Sequence, residues 1–190
     1  MSKINLFVGL GNPGHQYALS RHNVGFAVID SLAEAWGLNF QSCPKGIIAK
    51  GQIEGKRVLL LKPATYMNLS GECVGPLIRF YNIELNDVCV VHDDIDLDPW
   101  RIKVKKGGSS GGHNGLKSLD QHITPMYWRV RVGVGRPPPH LSSADHVLCV
   151  WNDMKPDHVH PLADHLAEWI HTTPEKWIND WNQSKEDSKQ

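Results

Sequence analysis

Two histidine-bearing strings hold the side chains most suited to acid–base chemistry. The first is Ser20-Arg21-His22-Asn23, which follows a glycine-rich turn; the second is His92-Asp93-Asp94-Ile95-Asp96, at the end of an apolar run. An imidazole titrates near neutrality, so His22 can take a proton from water if a carboxylate on its other ring nitrogen fixes the tautomer. Asp93 or Asp94 can supply that carboxylate. The clustered acids also raise a competing reading, a divalent-cation site.

Amides and glycines surround these strings. Gly9-Leu10-Gly11-Asn12-Pro13-Gly14 formally satisfies the dinucleotide fingerprint, yet Pro13 interrupts it and the helical pattern begins only near Gly25. Asp30 and Glu34 then fall inside that helix, where no ribose-reading acid belongs. The string is better read as a sharp turn that aims Asn12 into a cleft. Asn68, in Thr65-Tyr66-Met67-Asn68-Leu69-Ser70-Gly71, stands where it can cap a helix or line a site. Gly107-Gly108-Ser109-Ser110-Gly111-Gly112-His113-Asn114-Gly115 is either a flexible loop or one whose amides approach an anion. No Gly-Lys-Ser/Thr follows it, so it is not a P-loop, and no Gly-x-Ser-x-Gly elbow supports a serine nucleophile.

The elements that must position these residues are those of an α/β chain. Strand-like runs cover Ile4 to Leu10, Ile47 to Ile53, Arg57 to Leu61, Asp87 to Val91, Arg101 to Lys105 and Trp128 to Val134, with Glu54-Gly55-Lys56 as a hairpin turn. Helical spacing covers Phe26 to Trp36, Leu69 to Tyr81, Leu116 to Ile123, Val159 to Ile170 and Pro174 to Trp181. The pattern predicts one domain over 1–182, a twisted mixed β-sheet flanked by helices. Beyond the Pro137-Pro138-Pro139 linker the C-terminal helices are expected to form a lid, and 183–190 reads as a frayed polar tail.

The chain has 190 residues, 41% of them hydrophobic, enough for a single core. Its four cysteines lie far apart and read as reduced thiols. The apolar run after Met1 is too short for a signal peptide and no stretch spans a bilayer, which reads as a cytoplasmic protein. Net charge is zero, but Pro99 to Ala144 holds eight basic residues against the single acid Asp120. That island can track phosphates, or it can be a solvated strand face.

Together the strings resemble the bacterial-type peptidyl-tRNA hydrolase family. The resemblance rests on Val8 to Gly14, Arg21-His22-Asn23-Val24-Gly25, Lys62-Pro63 with Thr65 to Gly71, His92 to Leu97, Gly111 to Ser118 and Arg129 to Pro137. It implies hydrolysis of the ester joining a peptide to the tRNA terminal ribose, by a monomer with no metal, cofactor or obligate protein partner. His22 would be the catalytic base and Asp93, not Asp94, its partner. Asn12, Asn68 and Asn114 would line the cleft, and Tyr17 and Tyr66 would contact the substrate's 3′ end. Lys103, Lys105, Arg129, Arg131 and Arg136 are the candidate phosphate contacts. The chain departs from the family pattern at Ser20, where threonine is usual, at Trp100, where glycine is usual, and at His146, where an aromatic is common. Two other classes stay open at this point: an RNA-binding adaptor that has lost catalysis, and a nicotinamide-linked enzyme.

Overall fold

The computed structural model describes residues 3–187. Seven strands form one sheet in the order β2-β3-β4-β1-β5-β7-β6. These are β1 (Ile4–Gly9), β2 (Phe40–Cys43), β3 (Gly46–Ile53), β4 (Lys56–Pro63), β5 (Val88–Asp94), β6 (Ile102–Lys106) and β7 (Trp128–Gly133). The four central strands, β4, β1, β5 and β7, run parallel, while β2, β3 and β6 add antiparallel edges. All six residues of β1 are buried, as expected of a strand covered on both faces.

Alternation along β1 divides the interior into two cores. Phe7 faces one with Val28, Leu32, Leu60 and Val130; Leu6 and Val8 face the other with Leu59, Val74, Leu119 and Tyr127. The first core is closed by α1 (Val24–Ala35), α5 (Pro156–Ala167) and α6 (Pro174–Asp187), and the second by α2 (Ser70–Tyr81) and α3 (Asn114–Ile123).

This packing corrects the expectation of a C-terminal lid. Leu162, Ala163, Leu166 and Trp177 are fully buried against α1 and the sheet, so the long C-terminal helices are structural walls. The segment that borders the cleft is the short α4 (Ser143–Leu148), capped by Ser142, whose hydroxyl accepts from the Asp145 amide at 3.0 Å. The tail is also shorter than expected: α6 continues through Asp187, so 183–187 are helical, and 188–190 lie outside the described residues. No helix among the described residues is long and apolar enough to cross a membrane.

Because β1, β5 and β7 are parallel, their carboxyl ends open on one edge of the sheet, where crevices of such folds form. Gly9, Asp93 and Gly133 all arrive there. Two glycines let α1 sit down on this edge. A side chain on Gly25 would strike the Val91 carbonyl and the backbone of Leu10, and one on Gly9 would strike Gly25 itself. Gly11 faces the Phe26 ring, 2.7 Å from where its Cβ would be. Gly9 and Gly11 thus serve the close packing of α1 and Phe26, a use of this loop unlike that of a dinucleotide-binding turn.

Candidate active site

His22 lies in a 3-10 turn, Arg21–Asn23, directly before α1. Asp93 is the penultimate residue of β5. The turn sits on the sheet edge because of the glycine contacts just described, and it brings His22 Nδ1 to 2.8 Å from Asp93 Oδ1. Both residues are buried, at 8% and 3% exposure, so the pair is shielded while one edge of the ring still reaches the cleft. Strand alternation explains why Asp93 and not Asp94 meets His22. Asp94 points to the opposite side, where it accepts from Arg131 Nε at 2.8 Å and from the Asp96 amide at 2.9 Å.

A second imidazole shares the same oxygen. His113 Nε2 lies 2.9 Å from Asp93 Oδ1, while its Nδ1 accepts from the amides of Gly115 and Leu116 at 3.1 and 3.3 Å, capping α3. A ring nitrogen that accepts two N–H groups carries no proton, so His113 holds its proton on Nε2 and donates it to Asp93. His22 also donates to Asp93 through Nδ1, which leaves its Nε2 as a lone pair free to take a proton. Burial alone would raise the Asp93 pKa. The electrostatic pull of the His22 and His113 rings, with their hydrogen bonds, outweighs that and holds the carboxyl well below the usual range.

His92, the residue before Asp93, is also part of the cluster. It is 2% exposed, its Nδ1 donates to the Asp93 carbonyl at 2.7 Å, and its ring stands edge-on to His113. Burial, reinforced by His113, pushes its pKa down to about 3, so the ring is neutral at any pH well above that value. Its Nε2 has no partner among the described residues.

Three donors, His22, Asp93 and His113, are close enough together to suggest a cation site. The donor chemistry argues against it. To ligate through Nε2, His113 would have to surrender its proton while Nδ1 still serves the α3 cap, leaving an imidazolate or an uncapped helix. Among the other acids of the cluster, Asp94 is tied to Arg131 and Asp96 to Arg136, each at 2.8 Å.

The amides expected to line the site do gather beside His22. Asn12 Oδ1 accepts from the Met67 amide at 2.7 Å, and its backbone exchanges hydrogen bonds with Asn23 at 2.8 and 2.9 Å. This clamp fixes the first loop and leaves Asn12 Nδ2 without a protein acceptor among the described residues, at the cleft wall. A cavity of about 440 Å³ is bordered by Asn12, Tyr17, His22, Tyr66, Asn68 and Asn114. Asn68 and Asn114 are exposed, and Tyr66 is 59% exposed. A neighbouring cavity of about 550 Å³ joins it at His22 and Asn114 and runs past Lys105, Arg131 and the glycine-rich loop. Ala144 and Val147 of α4 border both cavities. Strand-like pairing of Ser20 with Val150 and the Trp151 amide on Leu19 O, 2.7 Å away, hold this helix to the His22 turn. His146 Nε2 adds a bond to Gly135 O at 2.9 Å.

The five basic candidates separate. Lys105 borders the cleft; Lys103 is exposed on β6 outside it. Arg131 is one-quarter exposed and paired, and Arg136 is exposed. Arg129 is a correction: it is 2% exposed, bound to Asp120 at 3.1 Å and to the carbonyls of Ser109 and Gly108 at 2.8 and 3.1 Å. It supports a loop from beneath and offers no open charge to an RNA backbone. His113, His92 and α4 carried no role in the sequence reading. The Gly-His-Asn string was the one signal for His113, and it gave no hint of a contact with Asp93.

A histidine–carboxylate dyad with an open Nε2, set at the carboxyl edge of a parallel sheet beside an amide-lined cleft, defines an α/β enzyme of the hydrolytic class. The family model described as "Peptidyl-tRNA hydrolase" matches residues 6–189, and the chain belongs to that family. A peptidyl-tRNA hydrolase from Wolbachia sp. subsp. Drosophila simulans is 47% identical over 169 residues, 88% of this chain and 92% of its own. One from Geobacillus thermodenitrificans is 44% identical over 186 residues, covering 95% of this chain and all of its own. The crystal structure of peptidyl-tRNA hydrolase from Acinetobacter baumannii superposes with a TM-score of 0.83 at 38% identity, covering 95% of this chain and 93% of that one.

Proposed function

We propose that this chain hydrolyses the ester between a peptide and the terminal ribose of its tRNA, with His22 as general base. The observation that carries the reading is the 2.8 Å contact between His22 Nδ1 and Asp93, which leaves Nε2 as the proton acceptor at the cleft. Water attacks the ester carbonyl as its proton passes to His22 Nε2, and the resulting imidazolium is stabilised by the Asp93 carboxylate. The proton then goes to the departing ribose oxygen, releasing tRNA and a peptide carboxylate. Asn12 Nδ2, held by the Met67 amide on the other atom of its amide, donates to the carbonyl oxygen as charge develops there. Asn68 and Asn114, exposed at the cleft rim, bind the peptide backbone, and Tyr17 and Tyr66 contact the substrate's 3′ end. An asparagine that reads the first peptide amide would be left unpaired by a free ammonium, which selects N-blocked esters over aminoacyl-tRNA.

Lys103, Lys105, Arg131 and Arg136 are the phosphate contacts in this reading, and activity falls as salt rises. The chemistry uses no metal. In this reading the protein works as a monomer in the cytoplasm. The test is incubation with N-acetyl-aminoacyl-tRNA, native against His22→Ala, with and without EDTA. The native chain should release acyl-amino acid in both buffers and the variant should be slower by about 10²- to 10⁴-fold. No release by the native chain would end the reading, and an equal rate in the variant would end the assignment of the base.

A further inference from the structure

The glycine-rich loop before α3 is built in an unusual way. Three successive carbonyls are committed to protein: Gly108 O and Ser109 O accept from Arg129, and Ser110 O accepts from the His113 amide at 3.0 Å. Its amides are not. From Gly108 to Gly112, five successive backbone N–H groups have no acceptor among the described residues. Gly108, Gly111 and Gly112 have φ of 89°, 57° and 86°, and Ser109 to Gly112 border the larger cavity. A residue of positive φ following one of ordinary φ, as Gly111 follows Ser110, turns neighbouring N–H groups toward a common point, the geometry of an anion-binding nest.

The charge around the loop agrees. A side chain on Gly108 would collide with the Lys105 ammonium, so that cation lies against the loop. The acids that border the same cavity are each engaged: Asp93 by two histidines, Asp94 by Arg131 and Asp96 by Arg136. Beneath the loop, Arg129 borders the cavity, is 2% exposed, and has an Nε with no partner among the described residues. Asp120, which also accepts from Tyr127 at 2.8 Å, holds it in place.

We propose that the Gly108–Gly112 amides form a phosphate cradle, kept open by Arg129 drawing the loop carbonyls inward, and that it takes a phosphodiester of the substrate's RNA strand. The proposal rests on the peptidyl-tRNA reading for its ligand. The loop runs directly into His113, which touches Asp93, so the anion it reaches is the phosphate on the 5′ side of the ribose whose ester is cut. Arg129 acts here as a positioning residue, not as an ion pair to the substrate.

Two measurements test it. In ¹⁵N amide spectra of the native protein, inorganic phosphate should shift Gly108 to Gly112 saturably where chloride at equal ionic strength does not; shifts that are absent there or never saturate overturn the cradle. Hydrolysis is then compared for N-acetyl-aminoacyl esters of bare adenosine and of the trinucleotide cytidylyl-cytidylyl-adenosine. Ser110→Pro, which deletes one loop N–H, should lower the preference for the trinucleotide ester about tenfold, the scale of one charge-assisted hydrogen bond. A preference equal to that of the native chain overturns the proposal. If the native chain cleaves neither ester nor the full tRNA ester, the hydrolase reading fails, and the phosphate titration still decides the cradle.

Discussion

His113 donates to the same oxygen of Asp93 that receives the His22 proton, at 2.9 Å, while its own Nδ1 caps α3. The carboxylate is therefore fixed from two sides, by the turn that carries the base and by the helix that begins with Asn114. Replacing Asp93 with asparagine keeps the size but removes the charge that stabilises an imidazolium. We expect kcat for N-acetyl-aminoacyl-tRNA to fall about 10²- to 10⁴-fold with KM little changed. Single-turnover kinetics would check this, and a loss below threefold would remove Asp93 from the chemistry.

His92 sets a pH dependence of stability. Its folded pKa is about 3 because the buried ring resists charging, against about 6.5 for an unfolded histidine. Between those values the unfolded chain binds a proton that the folded chain refuses, so stability rises with pH from about 3 to about 6.5 and is flat above. The charged and titratable groups that face it, Asp93, Asp94 and His113, stay in place when His92 is replaced. His92→Asn should flatten the slope of unfolding free energy from pH 4 to 6 by up to about 1.4 kcal/mol per pH unit. Asp93, whose folded pKa is depressed, acts in a lower window: its contribution is complete above about pH 4 and is lost as pH falls further. Urea unfolding at pH 4, 5, 6 and 7 separates the two, and equal slopes in both proteins would refute the role given to His92.

Gly25 offers a test of how the turn is seated. Its Cβ would meet the Val91 carbonyl and the Leu10 backbone, neither of which can swing away as a side chain could. Gly25→Ala should cost at least the 1–3 kcal/mol typical of overpacking, seen as a lower urea midpoint at unchanged slope, and should displace His22 from Asp93. Native-like stability with native activity would show that the close approach of α1 to the sheet edge is not required.

The sequence carried those parts of the fold that follow from local pattern. The apolar runs of β1, β5 and β7 announce strands buried on both faces, and the spacing of Val28, Ile29, Leu32 and Ala33 announces α1. β2 was not legible, since Phe40-Gln41-Ser42-Cys43 has no strand pattern of its own and is ordered by pairing with β3. α4 was missed because six residues, Ser143 to Leu148, show too little periodicity. The lid was misplaced for a physical reason: the amphipathic pattern of α5 shows that one face is buried but not against what, and it is buried against α1. Arg129 reads as a surface cation from composition alone, and only the carbonyls of Gly108 and Ser109 show why it is inside. By residue type alone Asp93 and Asp94 are equivalent and only the family resemblance favours Asp93; the parity of β5 and the seat of the His22 turn give the physical reason.

Trp100 allows a last prediction in which opposing effects can be weighed. It stands at φ 62°, left-handed backbone that costs a non-glycine residue about 1–2 kcal/mol, and glycine there would remove that cost. Its ring, however, stacks on Trp151 with centroids 4.8 Å apart and on His158 at 5.0 Å, and its Nε1 donates to Asp153 at 2.9 Å. Two aromatic contacts of about 0.5–1.5 kcal/mol each and a hydrogen bond of similar size exceed the backbone relief, before any buried area is counted. Trp100→Gly should therefore destabilise. Because Trp151 also ties the end of α4 to Leu19, the loosening should be local: hydrogen exchange should accelerate across 143–158 more than in β1 or β5. Uniform acceleration across the sheet would mean that Trp100 serves global packing, and unchanged exchange would mean that the stack fastens nothing.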